Sequence, residues 1–146
     1  MHPLPHHYTV KASGSQSGHL KVTADNLPDM VANAPIGFDG PGDVWSPEDM
    51  LMSSVATCTI LSFKAISRAS KFEWISIECE STGELALAER KLSFTQINTK
   101  VKLVIPQNEN TDKAIKLLNK AEANCLISNS LTANSHLECE VVVESI

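Results

Sequence analysis

Residues 46–70, SPEDMLMSSVATCTILSFKAISRAS, constrain the fold more than any other stretch. Ser46 reads as an N-cap, Pro47 as the first helical residue, and Glu48 and Asp49 as carboxylates set against the positive end of a helix dipole. From Met50 to Phe63 no residue is charged, and Met, Leu, Val, Ala, Ile and Phe alternate with small hydroxyl side chains. A helix apolar nearly all round belongs in a core. Its fourteen uncharged residues fall short of the about 20 that span a bilayer. The expected element is therefore a buried core helix with a thiol, Cys58, near its middle.

The chain has 146 residues, a length that suits one domain burying about 68–70% of its unfolded surface. A net charge of −5 without a basic stripe argues against nucleic acid as the partner. The opening MHPLPHHYTV lacks the apolar run of a secretory signal, and four cysteines without framework spacing read as reduced thiols, so a cytoplasmic location is expected. Residues 1–7 read as a flexible terminus. His2, His6 and His7 could hold a metal, but no downstream Cys/His pair completes a ligand set, and neither metal nor cofactor is expected.

Residues 8–12 and 19–24 alternate as two short strands around the turn SGSQSG, and residues 27–34 give a third strand weakened by Pro28. A Gly- and Pro-rich loop fills 35–45. After the long helix, residues 74–80 and 84–89 read as strand, and 94–105 returns as the second arm of an antiparallel hairpin. Residues 110–126 carry Ala114, Leu117, Leu118, Ala121 and Cys125 at helical spacing. Residues 136–144 close the chain as a strand. The order implies an α+β fold of mainly antiparallel sheet around two core helices, in one domain over 1–146.

The cysteines divide by position. Cys79 and Cys139 fall on apolar strand faces, where a free thiol behaves as a small hydrophobe. Cys58 and Cys125 fall on the two helices, each among small residues that leave room for a partner; the residues by themselves give a possible thiol pair.

The run PEDMLMSSVATCTILSF, followed about seventy residues on by AEANCLISNSL, resembles the OsmC/Ohr family of thiol-dependent hydroperoxide reductases. The likeness lies in the Pro-Glu helix start, the Cys ten residues after the Glu, and the second Cys on a later helix. It implies an intertwined homodimer in which Cys58 attacks an organic hydroperoxide and becomes a sulfenic acid. Cys125 then condenses with it to a disulfide, which an external dithiol reduces. Glu48 falls where the family has a carboxylate that orients a catalytic arginine. Here the sequence departs from the family: the arginine position falls on or near Gln16, and the only arginines are Arg68 and Arg90. Gln16 supplies no charge to favour a thiolate, and His19 and Lys21 are the nearest substitutes.

Helix geometry adds one inference. Residues ten apart lie about 15 Å apart along the axis, so Glu48 cannot touch Cys58 of its own helix, and a site using both needs a second subunit. Two functions fit these residues. One is a peroxidase acting on organic, fatty-acid type hydroperoxides in oxidative-stress defence, with Phe38, Met50, Leu51 and Met52 offering an apolar pocket. The other is a binding or stress-associated module on the same fold, with weak or no peroxidase activity for want of the arginine.

Overall fold

The computed structural model describes residues 1–145. The chain forms two compact units, Met1–Met50 and the residues from Leu51 onward. The first contains a three-stranded antiparallel sheet of β1 (Lys11–Ser13), β2 (Leu20–Thr23) and β3 (Met30–Ala32). These strands are shorter than the sequence suggests. β1 starts only at Lys11, near the end of the alternating stretch at 8–12, and β3 is cut to three residues because Pro28 and a turn closed by Asn26 precede it. Asn26 takes φ 64°, a left-handed conformation its short polar side chain tolerates. Ala32 is buried and bridges to Trp45 across the loop at 35–45.

Helix α1 (Pro47–Ala69) begins in the first unit and continues into the second. Its start is a reciprocal capping box. The Asp49 N–H donates to Ser46 Oγ at 3.0 Å, and the Asp49 carboxylate accepts from Ser46 Oγ at 2.9 Å and Ser46 N at 3.3 Å. The helix is buried in a narrower way than its sequence suggests. Only Val55, Thr59, Phe63 and Ser67 are fully covered, a single stripe at four-residue steps, while Leu61 is 61% exposed. At 23 residues, with a mean hydropathy of 1.4 over its most apolar 18-residue stretch, the helix is long and apolar enough to cross a membrane. Its uncharged run, however, spans only about 21 Å at 1.5 Å per residue.

The second unit is a three-stranded sheet carrying helices on one face. β4 (Ser76–Ala88) and β5 (Lys91–Pro106) form the long antiparallel hairpin. β4 runs unbroken through residues that read as two segments, absorbing one irregularity at Glu84/Leu85. Glu89 and Arg90 close the hairpin with φ of 49° and 67°, the left-handed pair that matches strand twist in a two-residue turn. β6 (Asn134–Glu144) pairs with β5 in parallel, so the sheet is mixed, with one parallel ladder.

The two faces of this sheet are chemically distinct. Outward, Glu78–Lys102–Glu140 and Glu80–Lys100–Glu138 stand on alternate rungs, each lysine flanked by two carboxylates, and opposite charges directly across strands support that register. Inward, Val101, Leu103 and Ile105 meet Phe63 of α1 and Ala114, Leu117, Leu118 and Ala121 of α2 (Thr111–Ala123). The Phe63 and Trp74 rings meet edge-on at 5.6 Å between centroids, and the Trp74 indole N–H donates to Ser67 Oγ at 3.0 Å. Asn110 caps α2 by accepting from the Lys113 N–H at 3.0 Å.

α2 stops before Cys125, which the periodicity places on that helix. The Asn124 side-chain amide donates to the Lys120 carbonyl at 2.8 Å, and its backbone N–H reaches the same oxygen at 3.1 Å. A side chain that satisfies a terminal carbonyl ends the helix instead of extending it. Cys125 then adopts an extended backbone as the cap of the short helix α3 (Leu126–Asn129).

Candidate functional site

Cys58 lies in the middle of α1, half-buried, one position before Thr59 of the buried stripe. Cys125 sits in the break between α2 and α3 and is 0% exposed. The fold brings the two together, with Cys58 within hydrogen-bond reach of Cys125. Both are free thiols.

The surroundings of Cys125 are more specific than its sequence suggests. Ser128 Oγ donates to Cys125 Sγ at 3.4 Å. Burial pushes the Cys125 thiol up, but the Ser128 hydroxyl, the Ser128 backbone N–H, Cys58 and Thr59 favour the thiolate, and together they hold it below the ordinary value. The Ser128 N–H contributes without closing a full cap bond. The Thr59 hydroxyl has a single proton and donates it to the Val55 carbonyl at 2.8 Å, so Ser128 is the hydroxyl donor that counts. Sequence reasoning missed Ser128. Its position three residues after Cys125, just past a helix break, was the available signal.

Cys79 and Cys139 lie on one rung of the sheet, each registered with Val101 between them, and pack against the core. Burial pushes Cys79 up to about 11, partly offset by the Ser81 hydroxyl and reinforced by Cys125. Burial also pushes Cys139 up, with Glu122 adding to the effect. Both are held as neutral thiols, in keeping with a packing role.

In the first unit, Glu48 stands in the first turn of α1, held in place by the Ser46–Asp49 box beside it. Its Oε1 is buried and meets no hydrogen-bond donor among the described residues. Gln16 is exposed in the turn between β1 and β2. The two substitute cations are both drawn to carboxylates. His19 Nε2 is 3.8 Å from Asp43 while its Nδ1 meets the Asn33 amide at 3.0 Å, and Lys21 Nζ is 3.5 Å from Asp29. The Asn33 amide is oriented by the Ala34 N–H, which donates to Asn33 Oδ1 at 2.7 Å. Its NH₂ therefore faces His19 Nδ1. In the N-terminal tail, His6 bonds Tyr8 and the His2 carbonyl. Among the described residues no three His, Cys, Asp or Glu side chains gather as a metal-ligand cluster.

A mixed α+β fold with one thiol on α1 and a second at the break between α2 and α3 defines the class. The family model described as OsmC-like protein matches residues 40–140, and the chain belongs to that family. It is 28% identical over 144 residues to the uncharacterized protein YmaD of Bacillus subtilis, covering 95% of each chain. An OsmC-like protein of unknown function from Vibrio cholerae superposes with a TM-score of 0.84 at 16% identity, over 94% of this chain and 100% of that one. An organic hydroperoxide resistance protein OsmC from Legionella pneumophila gives a TM-score of 0.73 at 23% identity, over 97% and 100%. These two structures establish the likeness of fold.

Proposed function

We propose that the protein is a thiol-dependent peroxidase reducing organic, fatty-acid type hydroperoxides to alcohols in oxidative-stress defence. The observation that carries this reading is the pairing of half-buried Cys58 with buried Cys125 in an OsmC-family chain. The Cys58 thiolate attacks the distal oxygen of the hydroperoxide; the O–O bond breaks, the alcohol leaves, and a sulfenic acid forms on Cys58. Cys125 attacks that sulfur, water departs, and the disulfide is returned to two thiols by an external dithiol.

The working unit in this reading is a cytoplasmic homodimer of single-domain chains. Support comes from the apolar surface one chain leaves open, including Leu61 of α1, Ile36 and Trp45, and from the orphaned carboxylate oxygen of Glu48, since a buried acceptor calls for a donor. Glu48 and Cys58 are too far apart along one helix to share a site, so Glu48 acts on the Cys58 of the partner.

The second reading is an OsmC-fold binding or stress-associated module. What favours it is Gln16, an uncharged exposed side chain where the family resemblance calls for arginine. Consumption of cumene hydroperoxide and of hydrogen peroxide, each with dithiothreitol or dihydrolipoamide, separates the two. The peroxidase reading expects the organic substrate to be consumed faster, and Cys58→Ser to abolish turnover. No turnover above the Cys58→Ser background with either peroxide leaves the binding module.

A further inference from the structure

The peroxidase reading has a gap. Attack on a peroxide requires the Cys58 thiolate, yet Gln16 brings no charge, and His19 and Lys21 are each drawn to an aspartate. Something else must receive the proton that Cys58 gives up.

Around Cys125 the second unit holds an arrangement suited to that task. Its sulfur is sealed from water, accepts a hydrogen bond from Ser128 Oγ, and has Cys58 within hydrogen-bond reach. The groups acting on it are Cys58 and Thr59 from α1, Ser128 from α3, and the Cys79 thiol from β4. None of these is a cation. Anion stabilisation there comes from hydrogen bonds alone, and a sealed sulfur exchanges its proton most directly with the thiol beside it.

We propose that Cys125 is the base for the first chemical step as well as the resolving thiol of the second. This deepens the peroxidase reading and rests on it. In the resting pair one proton is shared, with Cys58 donating to the Cys125 thiolate. As the hydroperoxide arrives, Cys125 takes that proton and Cys58 attacks the distal oxygen. An S–O bond forms, the O–O bond breaks, and the departing alkoxide takes a proton from solvent. Cys125, now a thiol, attacks the Cys58 sulfenic acid. Its proton leaves with the hydroxyl as water, and the disulfide forms. The sulfurs together lose two electrons and the peroxide gains two. The dithiol already required by the peroxidase cycle resets the pair, which returns to its singly protonated state by losing one proton to solvent. The Ser128 hydroxyl is a positioning group that keeps the negative charge on Cys125 until it is used.

The test isolates the first step. Reduced wild type, Cys125→Ser, Cys125→Ala and Ser128→Ala are mixed with cumene hydroperoxide in a single turnover, and cumyl alcohol release, which accompanies sulfenic acid formation in every variant, is timed. In parallel, Cys58 alkylation by iodoacetamide is followed by mass spectrometry from pH 6 to 10. Loss of the base should slow sulfenic acid formation at pH 7 by about tenfold or more in both Cys125 variants. The gap should close toward pH 10, where solvent deprotonates Cys58. Ser128→Ala keeps both thiols and should lose about two- to tenfold at pH 7, the worth of one hydrogen bond, and recover at higher pH. An unchanged first step in both Cys125 variants, with only disulfide formation lost, overturns the proposal and leaves Cys125 as a resolving thiol alone. A Ser128→Ala loss that no rise in pH repairs also overturns the role given to Ser128. The alkylation arm needs no peroxide. Cys125-dependent alkylation without peroxide turnover therefore sinks the peroxidase reading and leaves the proton transfer standing.

Discussion

Replacing Ser46 by alanine tests how α1, and with it Glu48, is held. Ser46 is 0% exposed, and the change removes the acceptor of the Asp49 N–H at 3.0 Å and the donor to its carboxylate at 2.9 Å. Loss of an N-cap side chain costs about 0.5–2 kcal/mol. Because no water replaces the hydroxyl in a buried position, the expected loss lies in the upper half of that range, about 1.5 kcal/mol. Asp49→Ala leaves the Ser46 Oγ acceptor in place and should cost about 0.5–1 kcal/mol. The residues share one bonded unit, so the double variant should cost less than the sum, with a coupling of about 0.5–1 kcal/mol. Guanidinium unfolding at fixed protein concentration, followed by helical circular dichroism, measures all three. A Ser46→Ala loss below about 0.3 kcal/mol, or strict additivity of the pair, would refute the reasoning.

Gln16→Arg should raise the neutral-pH rate of Cys58 with organic hydroperoxide by about three- to tenfold, since a cation raises the thiolate fraction while lower basicity returns part of the gain. Glu48→Ala should do little in wild type but undo much of that gain; stopped-flow rates of the three variants check it. Cys79 is raised to about 11, so its charged form is a small minority from pH 7 to 9. Mass mapping after iodoacetamide should show it unmodified from pH 7 to 9, and reaction at pH 8 at the rate of a free thiol would contradict its assignment as a packing residue. Sedimentation at micromolar concentration should give a dimer, with an interface above the about 1,600 Å² of a standard complex; a monomer would refute the two-subunit site.

Much of this architecture can be read from the chain, and the exceptions have physical causes. The start of α1 is legible because capping chemistry is local: Ser46, Pro47 and the two carboxylates specify it within four residues. Its burial is not, because only the register with the sheet decides that the Val55–Thr59–Phe63–Ser67 stripe is covered while Leu61 stays open. The β4–β5 hairpin follows from alternation around a tight turn. The parallel pairing of β6 does not, since strand direction is fixed by the path through α2 and α3. For the site, the pairing of Cys58 with Cys125 followed from the family resemblance, whereas helical periodicity put Cys125 on α2. Asn124 caps that helix before Cys125 is reached, and so places the sulfur beside Ser128.

The central claim is that Cys58 and Cys125 form one redox pair. Its most direct measurement is treatment of the fully reduced protein with one equivalent of cumene hydroperoxide, followed by quantification of cumyl alcohol and mass mapping of disulfides under non-reducing conditions. The account predicts one alcohol per chain and a Cys58–Cys125 link within the chain, with Cys79 and Cys139 still reduced. Unconsumed hydroperoxide, or a main product bridged through Cys79 or Cys139, would contradict it.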